Sequence, residues 1–153
     1  MRRGTGLLHL AGIVLILLVV LASIARARDG NSAVRLTGAW IRALPLALPS
    51  AGYFTLQNFT GADLVLVGAE SPACGHVSLH KSELTGGICR MRDEAEVDVP
   101  ALGQIRFAPE SYHLMCGGAR PILKPGARVP VTLIFKNGRR LTADFSVRDA
   151  SGR

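Results

Sequence analysis

The feature that most constrains the fold of this chain is a pair of alternating apolar runs near its end. In residues 129–135 every second side chain is apolar, and residues 141–147 repeat the pattern after Asn137 and Gly138. An apolar side chain at every second position indicates a strand with one buried face. Asn-Gly between two such runs is the strongest short signal for a β-hairpin. The sequence therefore predicts an antiparallel hairpin closed by a two-residue turn at Asn137-Gly138.

The preceding part of the chain also reads as short strands. Residues 39–42, 52–58, 64–67 and 77–80 are rich in β-forming residues and are separated by Gly, Pro and Asp turns. No stretch after residue 28 has an apolar period of 3.6 residues, which a helix would require. Many short strands with Gly and Pro between them predict an antiparallel β-sandwich or barrel.

Residues 1–27 have the layout of a secretory signal peptide. A start with two arginines precedes an almost wholly apolar run over 7–25, and Ala25-Arg26-Ala27 is a small-x-small cleavage signature. The alternative is an uncleaved membrane anchor, because the apolar run is close to the roughly 20 residues that span a bilayer. In either case we expect the remainder to be exported to the periplasm, with membrane contact only if the segment stays uncleaved.

The chain of 153 residues is divided by this interpretation into four segments: a signal peptide over 1–27, a short linker over 28–36, one domain over 37–148 and a tail over 149–153. Three of the 18 basic residues leave with the signal, so 15 remain against 11 acidic ones, a net charge of +4. The remaining basic residues are scattered and have no aromatic residues between them. A nucleic-acid partner is therefore not expected.

The three cysteines set a limit on cross-linking in an oxidising compartment. Cys74, Cys89 and Cys116 allow at most one internal disulfide and leave one thiol free. Pairing of Cys74 with either of the other two stays open. Cys116 is interpreted as a small core residue. Cys89 could ligate the metal, but this is the less favoured interpretation of its thiol.

Sparse histidines and methionines form the candidate site. His113 and Met115 stand at i, i+2, so both side chains lie on one face of a strand. Met91 lies between two arginines rather than inside an apolar run. Taken singly, methionine is more often core filler, and His80 and His113 would then be surface residues. His76 has the strand parity of His80 and is interpreted as a surface residue, with an auxiliary ligand as the alternative.

The four residues together give the spacing His80-x10-Met91-x21-His113-x-Met115. This spacing resembles the signature of the PCu(A)C family of periplasmic copper chaperones. The similarity covers residues 37–147, and its further blocks are residues 39–43, 52–58, 66–69, 71–72, 77–80 and 112–115.

The resemblance implies a cupredoxin-like, immunoglobulin-like antiparallel β-sandwich with Greek-key topology. It implies one Cu(I) per chain, bound near the surface by His80, Met91, His113 and Met115, with no catalytic residue. It also implies delivery of copper to the CuA-bearing subunit of cytochrome c oxidase, directly or through a Sco-like thiol protein. We expect the chain to be a monomer.

The ligand chemistry agrees with this implication. Thioether sulfur and imidazole are neutral, and soft thioether favours Cu(I) over Zn²⁺. Three alternatives remain at this stage: a copper storage or resistance protein without an oxidase client, a mononuclear copper redox enzyme, and an immunoglobulin-like scaffold in which these residues are incidental.

Overall fold

In the computed structural model of the chain, residues 33–44, 48–119 and 123–153 are described. The predicted signal peptide and residues 28–32 of the predicted linker lie outside the described residues. Residues Val34–Arg153 form one compact unit. The first strand begins at Val34, inside the segment interpreted as a linker.

Strands make up the regular secondary structure of the described residues. In chain order they are β1 (Val34–Arg42), β2 (Ser50–Asn58), β3 (Leu64–Glu70), β4 (His76–Thr85), β5 (Ile88–Asp93), β6 (Val97–Val99), β7 (Gln104–Phe107), β8 (Tyr112–Gly117), β9 (Arg128–Phe135) and β10 (Arg140–Arg148). Across the described part of the chain, no helix is long and apolar enough to cross a membrane.

The strands are joined by hydrogen bonds in the order β5-β4-β8-β7-β2-β1-β10-β9-β3-β6, and β8 also pairs with β2. The prediction of an all-β chain is confirmed. Most pairings are antiparallel, but β1–β10 and β7–β8 are parallel. Neighbouring strands often come from distant parts of the chain, as they do in Greek-key sandwiches.

One apolar core lies between the two halves of this curved sheet. Leu79 of β4 and Leu114 of β8 contribute from one half, and Leu66 of β3 and Leu133 of β9 contribute from the other. Because side chains alternate along a strand, the residues between these core positions point away from the core. The outer face of β5, β4 and β8 is therefore free to carry a site.

The predicted C-terminal hairpin is present as β9 and β10, but its turn differs from the prediction. The N–H of Gly138 donates to the carbonyl of Phe135, and the N–H of Phe135 donates to the carbonyl of Arg139, both at 2.9 Å. The loop therefore has three residues, 136–138, and Gly138 has a φ of +82°. The predicted two-residue turn was wrong because this glycine occupies the left-handed position that follows a type I turn.

One disulfide joins the β3–β4 connection to β8. Cys74 pairs with Cys116 at a Cα–Cα distance of 5.4 Å, and Cys89 is free and exposed. Cys116 is only 2% exposed and belongs to the core, so its predicted burial is confirmed. The bond fixes β8 at the residue next to Met115.

Candidate metal centre

A row of three side chains crosses the outer face of β5, β4 and β8. His80 of β4 lies directly opposite His113 of β8 on one side and opposite Asp93 of β5 on the other. The centroids of the two imidazole rings are 5.7 Å apart. Two nitrogen donors from different parts of the sequence are thus brought together by strand register.

The two methionines flank this row on the same face. Met115 lies opposite Ser78, two residues before His80, and Met91 lies opposite Ser82, two residues after it. Met115 is half-buried and Met91 is 62% exposed. All four predicted residues therefore share one face of three adjacent strands, with Met91 as the outermost donor.

The environment of His113 keeps one ring nitrogen available. This side chain is 3% exposed, and its Nδ1 lies 3.1 Å from the carbonyl oxygen of Ser111. A carbonyl only accepts, so Nδ1 carries the proton and Nε2 presents a lone pair. Burial lowers the pKa of His113, and the nearby His80 lowers it further, against the opposing effect of the Ser111 hydrogen bond. His113 is therefore held as the neutral imidazole that a metal ion needs.

His80 is oriented by two polar neighbours. Its Nε2 lies 2.7 Å from Oδ1 of Asp93 and 2.9 Å from Oγ of Ser78. Its Nδ1 is buried and has no hydrogen-bond partner among the described residues. A buried nitrogen without a partner is costly in a native protein, and a metal ion would satisfy it. A carboxylate on the other nitrogen is the usual companion of a metal-binding histidine.

Sequence reasoning did not single out Asp93 or Ser78. The signal for Asp93 was present, because it follows Met91 by two positions and must share its face in a strand. Its role depends on the register that sets it opposite His80, and sequence spacing does not reveal register between separate strands.

Aromatic side chains close the site on the β2 side. The ring of Tyr53 lies 6.4 Å from that of His113, and the ring of Trp40 lies 4.6 Å from that of Tyr53. Burial raises the pKa of Tyr53, while the Arg42 guanidinium lowers it. This packing shields His113 from water on the β2 side and leaves the opposite side, where Met91 lies, open to solvent.

Two further candidates are placed apart from the row. His76 lies opposite Gly117, and a Cβ on Gly117 would come within 2.2 Å of the His76 ring. The ring thus covers a glycine and is exposed. Cys89 shares the face of Met91 but lies opposite Leu84, towards the exposed tip of the β4–β5 hairpin. Among the described residues, no three His, Cys, Asp or Glu side chains are grouped closely enough to hold a metal ion by themselves.

The fold is that of the PCuAC class of β-sandwich domains. The solution structure of CuI-DR1885 from Deinococcus radiodurans is 30% identical in sequence, with a TM-score of 0.62 over 81% of this chain and 85% of that chain. The copper-bound PCuAC domain from PmoF2 is 20% identical, with a TM-score of 0.64 over 76% of this chain and 93% of that chain.

The family itself follows from the sequence match. Residues 34–147 match the family described as "Putative lipoprotein LpqE-like", and the chain therefore belongs to the LpqE-like family. The protein named "Putative lipoprotein Lxx21020", from Leifsonia xyli subsp. xyli, is 28% identical over 120 residues, which cover 78% of this chain and 72% of that protein. The resemblance to PCu(A)C proteins is thus confirmed, while the metal-ligating roles of His80, Met91, His113 and Met115 stay predictions.

Proposed function

We propose that this chain is an exported carrier that binds one Cu(I) through His80, Met91, His113 and Met115. It passes the ion to the CuA-bearing subunit of cytochrome c oxidase, directly or through a Sco-like thiol protein. The observation that carries the proposal is the direct pairing of His80 with His113, with a methionine of the same face on each side.

The donor set suits a monovalent soft ion. Two imidazoles and two thioethers carry no negative charge, and holding a +1 ion among neutral donors costs less than holding a +2 ion. Methionine needs no deprotonation and is not lost to a disulfide in an oxidising compartment. The neutral state of His113 and the Asp93 contact of His80 prepare both rings before the ion arrives.

The exposure of the site favours a carrier over an enzyme. Met91 is 62% exposed on β5, which is one of the two edge strands of the sheet. An incoming thiolate or imidazole can replace this outermost donor first while the two histidines still hold the ion. Stepwise exchange of this kind releases the copper without turnover of a substrate.

Two relatives and the N-terminal segment support the proposal. CuI-DR1885 and the PmoF2 domain are copper-bound proteins of this fold. The family description includes the word lipoprotein, which agrees with export to the periplasm as residues 1–27 predict.

Anaerobic titration of the reduced protein with Cu(I) tests the binding step. We expect one equivalent to bind, and we expect Met91→Leu and Met115→Leu each to weaken binding more than tenfold. His80→Ala should also weaken binding, and His76→Ala is its matched control, which should not. Both histidines stand on β4 with the same parity, but only His80 lies opposite His113. Unchanged affinity in both methionine variants would refute the proposed site.

A transfer assay tests the delivery step separately. Cu(I)-loaded protein is mixed with an apo CuA domain, and the growth of the CuA absorption is followed in the presence of an oxidant. We expect the CuA absorption to grow after mixing, because copper is transferred to the apo domain. Stoichiometric binding without any transfer, to this domain or to a Sco-like protein, would instead identify a copper storage or resistance protein.

A further inference from the structure

Two arginines lie side by side on the face that carries the candidate metal centre. The parallel register of β1 and β10 sets Arg42 opposite Arg148. The guanidinium carbons of Arg42 and Arg148 lie 5.9 Å and 5.0 Å from the centroid of the Trp40 ring. We call Trp40, Arg42 and Arg148 the arginine platform.

The platform has no carboxylate partner among the described residues. Neither arginine takes part in an ion pair there. Within the described part of the chain, Nε of Arg42 is buried without a hydrogen-bond partner, and the Arg148 guanidinium donates to the carbonyl of Gly152, at 3.3 Å. The adjacent Asp149 forms no ion pair with either arginine, and its Oδ1 accepts from the N–H and hydroxyl of Ser151 and from the N–H of Arg153.

This arrangement holds two positive charges next to each other without a counter-charge among the described residues. Like charges directly opposite each other on neighbouring strands destabilise a sheet, and stacking of both guanidinium groups on Trp40 counters that cost. Asp144 is the nearest acidic residue on the outer face of β10, four positions before Arg148. An external carboxylate would supply the missing negative charge and acceptors for the terminal nitrogens of the two guanidinium groups.

Strand register connects the platform to the metal centre. Ala51 of β2 lies opposite Met115 of β8. On its other side β2 pairs with β1, where Ile41 lies opposite Gly52, and the same register places Arg42 opposite Ala51. Two strand spacings, about 10 Å, therefore separate Arg42 from Met115. The Trp40, Tyr53 and His113 rings form a continuous contact along the neighbouring row.

A cavity of about 250 Å³ opens beside the platform. Trp40 and Tyr53 line one part of it, and Arg106, Ala108 and Pro109 line another. This volume accommodates one or two side chains of a partner. Aromatic and arginine residues around a pocket are typical of the positions that anchor protein interfaces.

We propose that the arginine platform and this cavity dock an acidic protein surface, that of the partner with which copper is exchanged at the adjacent centre. The inference rests on the proposed function, because it places the partner's own metal donors beside Met115 and Met91. Partner carboxylates pair with Arg42 and Arg148, and one partner side chain enters the cavity. Charge complementarity of this kind acts mainly on the rate of encounter.

The test uses two synthetic Cu(I) acceptor peptides with the same Cys-x-x-Cys core. One is flanked by glutamates and the other by glutamines. Stopped-flow absorbance of the Cu(I)–thiolate product gives the rate constant for transfer from the Cu(I)-loaded protein. At about 0.01 M salt we expect the glutamate peptide to react about fivefold faster, and at about 1 M salt, where screening is nearly complete, we expect equal rates.

Paired variants separate the platform from net charge. We expect Arg42→Gln with Arg148→Gln to reduce the rate advantage of the glutamate peptide to about twofold or less. The matched control is Arg35→Gln with Arg139→Gln, which removes the same charge elsewhere; Arg35 also stands on β1 and stacks on an aromatic ring, Phe59, at 5.4 Å. This control should retain the advantage. Cu(I) titration and thermal unfolding verify that both double variants still fold and bind.

Three results would overturn the inference. Equal rates for the two peptides with the unmodified protein at low salt would do so without any variant. An equal loss in both double variants would assign the effect to net charge. Binding to vesicles of anionic phospholipid that depends on Arg42 and Arg148, with no difference between the peptides, would assign the platform to a membrane. Failure of the unmodified protein to bind Cu(I) would instead refute the proposed function.

Discussion

The Cys74–Cys116 disulfide offers a prediction whose size follows from the structure. The bond closes a loop with a sequence separation of 42 residues. Restricting the unfolded chain in this way removes entropy that grows with the logarithm of loop length. At this separation the loss is about 13 cal/mol/K, or about 4 kcal/mol of stabilisation at 25 °C. Replacing both cysteines by alanine should lower the free energy of unfolding by that amount, and the two deleted sulfur atoms add a smaller packing loss because Cys116 is buried.

Urea denaturation followed by circular dichroism measures the change. Cys89→Ala is the matched control, because Cys89 is free and exposed and its loss should change the free energy by less than about 0.5 kcal/mol. Reducing the disulfide in the unmodified protein should reproduce most of the effect. A loss below about 1 kcal/mol in the double variant, or an equal loss in Cys89→Ala, would contradict the loop-entropy reasoning.

Three further predictions concern single residues. Asn58 is fully buried, and the two N–H groups on its Nδ2 are shared among three backbone carbonyls within hydrogen-bond distance. Asn58→Ala should therefore cost about 3 kcal/mol in urea denaturation while Cu(I) affinity stays constant, and a cost below about 1 kcal/mol would be inconsistent with those bonds. Gly138 has a φ of +82°, so Gly138→Ala should cost about 1 kcal/mol by the same assay, and no loss would contradict the left-handed turn. Asp93 contacts Nε2 of His80 at 2.7 Å, so Asp93→Asn should weaken Cu(I) binding about tenfold in a competition titration. Unchanged affinity would show that Asp93 does not orient the His80 ring.

The fold was largely predictable because side-chain alternation and turn residues are local signals. The strands of the β9–β10 hairpin were predicted within one residue at each end. The three-residue loop was not, because Asn-Gly is compatible with more than one hairpin geometry. The parallel pairing of β1 with β10 joins segments about a hundred residues apart, and no local pattern reports such a pairing.

The candidate site was predictable in part from strand geometry. Parity alone set His113 beside Met115, whereas only the family spacing connected that pair to His80 and Met91. The structure adds the register that opposes His80 to His113 and to Asp93. The arginine platform could not be foreseen, because the pairing of Arg42 with Arg148 depends on long-range strand order.

X-ray absorption at the copper edge of the Cu(I)-loaded protein tests the central claim most directly. The account predicts two sulfur and two nitrogen neighbours, with one sulfur lost in Met91→Leu, one lost in Met115→Leu and none lost in Cys89→Ala. A copper environment without sulfur, or a sulfur signal that disappears in Cys89→Ala and persists in both methionine variants, would contradict it.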